Sequence, residues 1–138
     1  MNNTQIVRGF IETVLNQQKF DQIDSFISPH FQTHSLHINP KPVQVENVPK
    51  TFKEALIQSE SVLADFHRTI DDIVSEGDKV VVRHTTTATH VGNFMGIPAT
   101  NKHITFAGIS IYRVEQGKIV DEWYIWDRQG VYEQLLAK

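Results

Sequence analysis

Apolar residues recur along this chain with a helical spacing in the first half and an alternating one in the second. In Asn3–Gln17, Ile6, Phe10, Ile11, Val14 and Leu15 fall on one helical stripe, with Asn3 or Thr4 placed to cap it. Phe20–Phe26 gives a second, shorter helix through Phe20, Ile23 and Phe26, ended by Ser28-Pro29. His30–Pro42 reads as an irregular or short extended piece, with Asn39-Pro40-Lys41-Pro42 marking an ordered loop. A third helix is expected over Val48–Ala64, with Phe52, Leu56 and Leu63 inward and Pro49 in its first turn. Phe66–Ser75 then begins a sheet, followed by strands at Lys79–Val91, Ile104–Glu115 and Lys118–Asp127.

Side chains alternate between the faces of a strand, so even and odd positions can be sorted. The even face carries Val80, Val82, His84, Thr86, Ala88 and His90, then Phe106, Ser110 and Tyr112, then Glu122, Tyr124 and Trp126. Such a set suits the wall of a semi-polar cavity. The odd face, with Ile109, Ile111, Trp123 and Ile125, suits a second packing surface, and a homodimer through that face is expected. Glycines at Gly77 and Gly117 fit tight hairpins. The expected pairing sets Ser110 opposite Tyr124, His90 near Phe106 and His84 near Tyr112. The fold class is α+β: three N-terminal helices covering the concave face of a curved, four-stranded sheet.

The run Thr89-His90-Val91-Gly92-Asn93-Phe94-Met95-Gly96-Ile97-Pro98-Ala99-Thr100 resembles the THxGxFxGxPxT hairpin of SnoaL-like polyketide-cyclase and ester-cyclase proteins. These belong to the nuclear-transport-factor-2-like (NTF2-like) superfamily. The continuation Ile111-Tyr112-Arg113-Val114, then Gly117-Lys118-Ile119-Val120-Asp121-Glu122-Trp123 and Asp127, is similar to the family's C-terminal strands. The resemblance implies an NTF2-like cone with a mixed or antiparallel sheet, formed by residues 1–138 as one domain. It also implies a cavity between helices and sheet. One fold of this kind serves many chemistries, and plain binding as well.

Composition narrows the partners. With 138 residues the chain is long enough for a real core. A net charge of −3 without a basic run points away from nucleic acid. No apolar stretch approaches a membrane span, and no signal peptide is evident. The absence of cysteine removes disulfides and thiolate chemistry, and fits a cytoplasmic protein. His30, His34 and His37 would need a helix to share a metal, and Pro29 argues against one, so no metal or other cofactor is expected.

The candidate catalytic residues are His34, Glu122 and Tyr124; His84, His90, Ser110, Tyr112, Trp126 and Asp127 are candidate ligand contacts. Histidine titrates near neutrality and can act as acid or base, and a tyrosine hydroxyl can donate to an enolate-like oxygen. Aromatic walls suit a small amphipathic or aromatic carbonyl compound. His84 equally fits a hydrogen-bonded packing residue, and His90 a structural hairpin role. Asp127 equally fits a cap for the following helix, and His30, His37, His67 and His103 belong at surfaces or turns. In the cyclases of the family the acid/base is an aspartate directly after the tryptophan of the last strand, and here that position is Tyr124. Two readings follow: a cofactor-independent cyclase or isomerase with His34 or Glu122 as base, or a non-catalytic binder of a small ligand.

Overall fold

The computed structural model describes residues 1–37 and 49–138; the loop expected at Asn39–Pro42 and the expected helix start at Val48 lie outside them. Helix α1 (Asn3–Gly9) is capped by Asn2, not by Asn3 or Thr4. The Asn2 side chain accepts the Gln5 N–H at 2.8 Å, and the Gln5 side chain accepts the Asn2 N–H at 2.9 Å. This reciprocal box satisfies two donors at the helix start, which a lone Asn3 or Thr4 cap would not. The helix then widens into a π-helical stretch, Phe10–Asn16, that buries Phe10, Ile11, Val14 and Leu15 together. Wide turns of this kind recur beside functional sites. A short 3-10 turn, Phe20–Ser25, follows.

The next segment departs from expectation. Ile27–Ser35 is a strand, β1, so Ser28-Pro29 lies inside an element instead of ending one. Proline cannot donate to a ladder, but β1 is an edge strand and tolerates it. Helix α2 (Pro49–Ser59) stops before Ala64, and Leu63 opens β2 (Leu63–Glu76). The chain continues through β3 (Lys79–His90), β4 (His103–Glu115), β5 (Lys118–Trp126) and α3 (Arg128–Leu136). The sheet has five strands, not four, in the order β1-β5-β4-β3-β2. β1 runs parallel to β5, and the other neighbours are antiparallel. The fold is therefore a mixed α+β cone.

Tight turns set the register. Gln116 and Gly117 both take positive φ, the signature of a two-residue hairpin, and β4 and β5 pair with Ser110 opposite Tyr124 as expected. Met95 and Gly96 do the same between Phe94 and Ile97. That tip lies nearer β3 than expected, so His84 pairs with Gly108 and Thr86 with Phe106, rather than His84 with Tyr112 and His90 with Phe106. An even offset leaves every side chain on its expected face. Gly92, before this tip, is obligatory: a Cβ there would lie 2.3 Å from the Ser61 carbonyl oxygen.

The inner face of β3 and β4 is buried, from Val80 to His90 and from Ile104 to Val114 at alternate positions. Val120 is an extra residue in β5, where Arg113 pairs with Asp121 but Val114 with Ile119. The bulge lets both Ile119 and Glu122 point inward. The main core joins α1, its π-helical extension, Phe31 and Phe52 to Val80, Val82 and Tyr112. Full burial of one such aromatic or aliphatic side chain contributes roughly 1.5–3 kcal/mol. A smaller cluster seats Val131 and Leu135 of α3 on Ala88, Ile104 and Phe106. Lys102 Nζ meets the Gln134, Leu135 and Ala137 carbonyls at the end of α3, where a cation complements the helix dipole. No described helix is long and apolar enough to cross a membrane.

Candidate functional site

Between the π-helical stretch, α2 and the inner face of the sheet lies a cavity of about 250 Å³. Its wall is mostly apolar: Phe10, Phe20, Phe52, Phe66, Phe94, Phe106 and Trp126, with Leu15, Leu56 and Leu63. The polar groups in it are Gln18, Thr33, Ser59, Arg68, Glu122 and Tyr124. Strand pairing explains how they converge. Thr33, Glu122, Tyr112 and Val80 form one row across β1, β5, β4 and β3. The next row holds Tyr124, Ser110 and Val82, and the third Trp126, Gly108, His84 and Ile70. Phe106, Thr86 and Arg68 form the fourth.

Glu122, Tyr124 and Trp126 therefore stand in the cavity wall, as the alternation predicts. Trp126 is braced by Phe106 at 5.2 Å and stacked on Phe94 at 6.1 Å between ring centroids. His84, Ser110 and Tyr112 face the same way but lie behind the wall, fully buried. Ser110 Oγ is 3.2 Å from His84 Nε2, and His84 Nδ1 has no partner. Burial, aided by the Arg68 charge, lowers the His84 pKa from 6.5 to about 3, so its imidazole is neutral at physiological pH. The Tyr112 hydroxyl lies close to Ser110 and Glu122 without a well-formed hydrogen bond. Burial, and then the Glu122 carboxylate, push it well above the ordinary tyrosine range.

His34 is not in the cavity. It is paired with Trp123, and parallel neighbours at the same register point to the same side, so Thr33 turns inward with Glu122 and His34 outward with Trp123. The His34 ring stacks on Trp123 with centroids 5.0 Å apart, and its Nε2 donates to Asp121 Oδ1 at 2.8 Å. Asp121 also accepts from Arg113 Nε at 2.9 Å and Nη2 at 2.7 Å. His90, at the end of the inner face, accepts the Thr100 N–H on Nδ1 at 3.1 Å, which closes the hairpin and leaves the proton on Nε2. It too lies outside the wall. Asp127 caps α3, accepting the Gly130 N–H at 2.9 Å, and the bulge at Val120 does not swing it inward. His30, His67 and His103 are exposed, whereas His37 is half-buried and accepts the Trp126 N–H at 3.3 Å. The described residues contain no group of three or more metal-ligating side chains.

Sequence reasoning missed Arg68 and Thr33. Arg68 follows Phe66 and precedes Ile70 at the same parity, so a cation at an inward position of β2 was the available signal. Its Nε donates to Thr86 Oγ1 at 3.0 Å, and its guanidinium carbon lies 5.3 Å from the Phe66 ring centroid. Asn16, at the end of the π-helical stretch, accepts the Arg68 N–H at 2.7 Å and donates to its carbonyl at 2.8 Å. Thus the widened helix anchors the strand position that carries the cation. Thr33 is 1% exposed, and its hydroxyl has no partner.

Comparison with known proteins agrees with this architecture. The family described as SnoaL-like polyketide cyclase matches residues 5–135. Among solved structures, TsrD from Streptomyces laurentii is 29% identical, with a TM-score of 0.80, covering 97% of this chain and 94% of its own. IdmH from Streptomyces antibioticus is 23% identical, with a TM-score of 0.84 over 99% of this chain and 100% of its own. A SnoaL-like polyketide cyclase from Agrobacterium tumefaciens is 21% identical, with a TM-score of 0.79 over 98% of each chain. The last two bear on the fold alone. No match is found among curated proteins.

Proposed function

The chain belongs to the SnoaL-like polyketide cyclase family, and we propose that it is a cofactor-independent enzyme that removes a proton next to the carbonyl of a small aromatic compound. The observation that carries this reading is the placement of one carboxylate, Glu122, in an otherwise largely apolar cavity wall beside Thr33 and Tyr124. In this scheme a Glu122 oxygen takes the proton, the C–H electron pair moves into the carbonyl, and the enolate oxygen forms. Tyr124 and Thr33 hydroxyls donate to that oxygen. Return of the proton to another carbon isomerises the compound; attack of the enolate carbon on a second carbonyl cyclises it. Tyr124 is a donor here and not the base, because tyrosine ordinarily titrates near ~10. Hydrogen–deuterium exchange at the α-carbon of aromatic 1,3-dicarbonyl compounds, followed by NMR, tests the scheme. Glu122→Gln is expected to slow exchange by about 100-fold or more; an unchanged rate removes Glu122 as the base.

A binding-only role is the second reading. It is favoured by Tyr124 standing where the resemblance expects an acid/base aspartate. Absence of exchange with every compound that binds would select it.

The same proposal includes a homodimer through the outer face, where Ile109 and Ile125 are 45% and 43% exposed beside Ile111 and Trp123. The double substitution Ile109→Lys and Ile125→Lys is expected to yield monomers by light scattering. A monomeric wild-type protein at micromolar concentration would end this part of the reading.

A further inference from the structure

Arg68 stands in the cavity wall with a charge that no carboxylate among the described residues pairs. Its Nε is committed to Thr86, and its backbone is fixed on both sides by Asn16. Among the described residues no carboxylate lies within ion-pair distance of it, although Glu122 shares the wall. A guanidinium in an aromatic enclosure is costly without a counter-charge, and its planar fork matches two coplanar oxygens. Thr33 supplies a second, independent sign of a ligand. Its hydroxyl is buried, stands in the same wall and lacks a partner. Buried polar groups of this kind are ordinarily satisfied.

We infer that the cavity selects a small aromatic oxyanion, whose two coplanar oxygens pair with Arg68 and whose ring lies among the phenylalanines. The inference rests on the cavity being a ligand site, as proposed above, but not on catalysis. A cavity of about 150 Å³ holds benzene, so this one, at about 250 Å³, has room for one ring or two fused rings. Two ligand classes present the required group: an aromatic carboxylate, or the enolate of an aromatic 1,3-diketone. In the second, Arg68 would carry the negative charge that proton removal creates.

The test titrates wild-type protein with 2-naphthoate, its methyl ester and 1-phenylbutane-1,3-dione, read by calorimetry and by Trp fluorescence. Naphthoate is expected to bind at least about 10-fold more tightly than the ester, because the charge-assisted bonds are lost in the ester. Arg68→Gln should remove that preference, and Arg68→Lys should restore part of it. If the diketone is preferred, its enolate absorbance band should appear on binding to wild type and be absent with Arg68→Gln; this assigns the anion to the enolate. Equal affinity for acid and ester on wild type overturns the inference even if the variants do not fold. So does failure of all three probes to bind at millimolar concentration, or naphthoate binding indifferent to Arg68→Gln. Naphthoate held by Arg68 without any proton exchange would sink the enzymatic reading and leave this one standing. Exchange combined with ester binding as tight as the acid's would do the reverse.

Discussion

The two faces of one sheet each carry a histidine, a carboxylate and an arginine, yet they are wired differently. On the outer face, His34, Asp121, Arg113 and Glu115 close on one another, with Arg113 bonded to two carboxylates. On the inner face, His84 is neutral behind the wall, and Arg68 has no carboxylate within reach among the described residues. Identical residue types therefore do different work. A closed network holds β1, β4 and β5 in register, whereas the inner cation has no counter-charge among the described residues, which is what the inferred oxyanion would supply.

The largest contrast is expected in chemistry. Glu122→Gln and His34→Ala each remove a group that the sequence offers as the base, but only Glu122 stands in the wall. Exchange should fall by about 100-fold or more for Glu122→Gln and stay at the wild-type rate for His34→Ala. Loss of exchange in His34→Ala, with the fold intact by circular dichroism, would show that the outer network reaches the reaction.

Asp121→Asn sharpens the comparison from the other side. It strips His34 and Arg113 of their shared acceptor at a buried position, a loss on the order of 2 kcal/mol. For a chain of this size that corresponds to a fall in Tm of several degrees. Naphthoate affinity should be unaffected, since the Asp121 side chain bonds to His34 and Arg113, neither of which lines the cavity. If this variant weakens naphthoate binding as much as Arg68→Gln does, the two faces are not independent.

What could be read from the sequence follows from which constraints are local. The parity of β3, β4 and β5 is set by period-two alternation and by turns such as Gln116-Gly117, so Glu122, Tyr124 and Trp126 could be placed inside before any coordinates. Even the four-residue error in the β3–β4 register was harmless, because the offset was even. His34 was misplaced because β1 joins the sheet in parallel with β5, through a pairing that no hairpin announces. Proline at position 29 also disguised β1 as the end of a helix. The depth of burial was equally hidden: parity shows that His84 and Tyr112 face inward, but not that α1 and its π-helical extension cover that part of the sheet. Arg68 is legible in principle, as a cation alternating with Phe66 and Ile70 at inward positions of β2.

The smallest expected effect, and the most diagnostic of the inner face, is acid sensitivity. His84 is held neutral in the folded protein, with a pKa of about 3 against an ordinary 6.5, so the unfolded chain binds more protons between these values. Stability from this residue is therefore fully present above about pH 6.5 and is lost as pH falls towards 3. Between pH 7 and pH 5 the linkage amounts to at most about 2 kcal/mol, seen as a drop of several degrees in Tm. Carboxylates ordinarily titrate below that interval. His84→Gln, which cannot titrate, should flatten the Tm profile from pH 7 to pH 5 even if it lowers stability throughout. A wild-type profile that is level across this interval would mean that the His84 imidazole is hydrated in solution, and that the layer behind the cavity wall is not sealed.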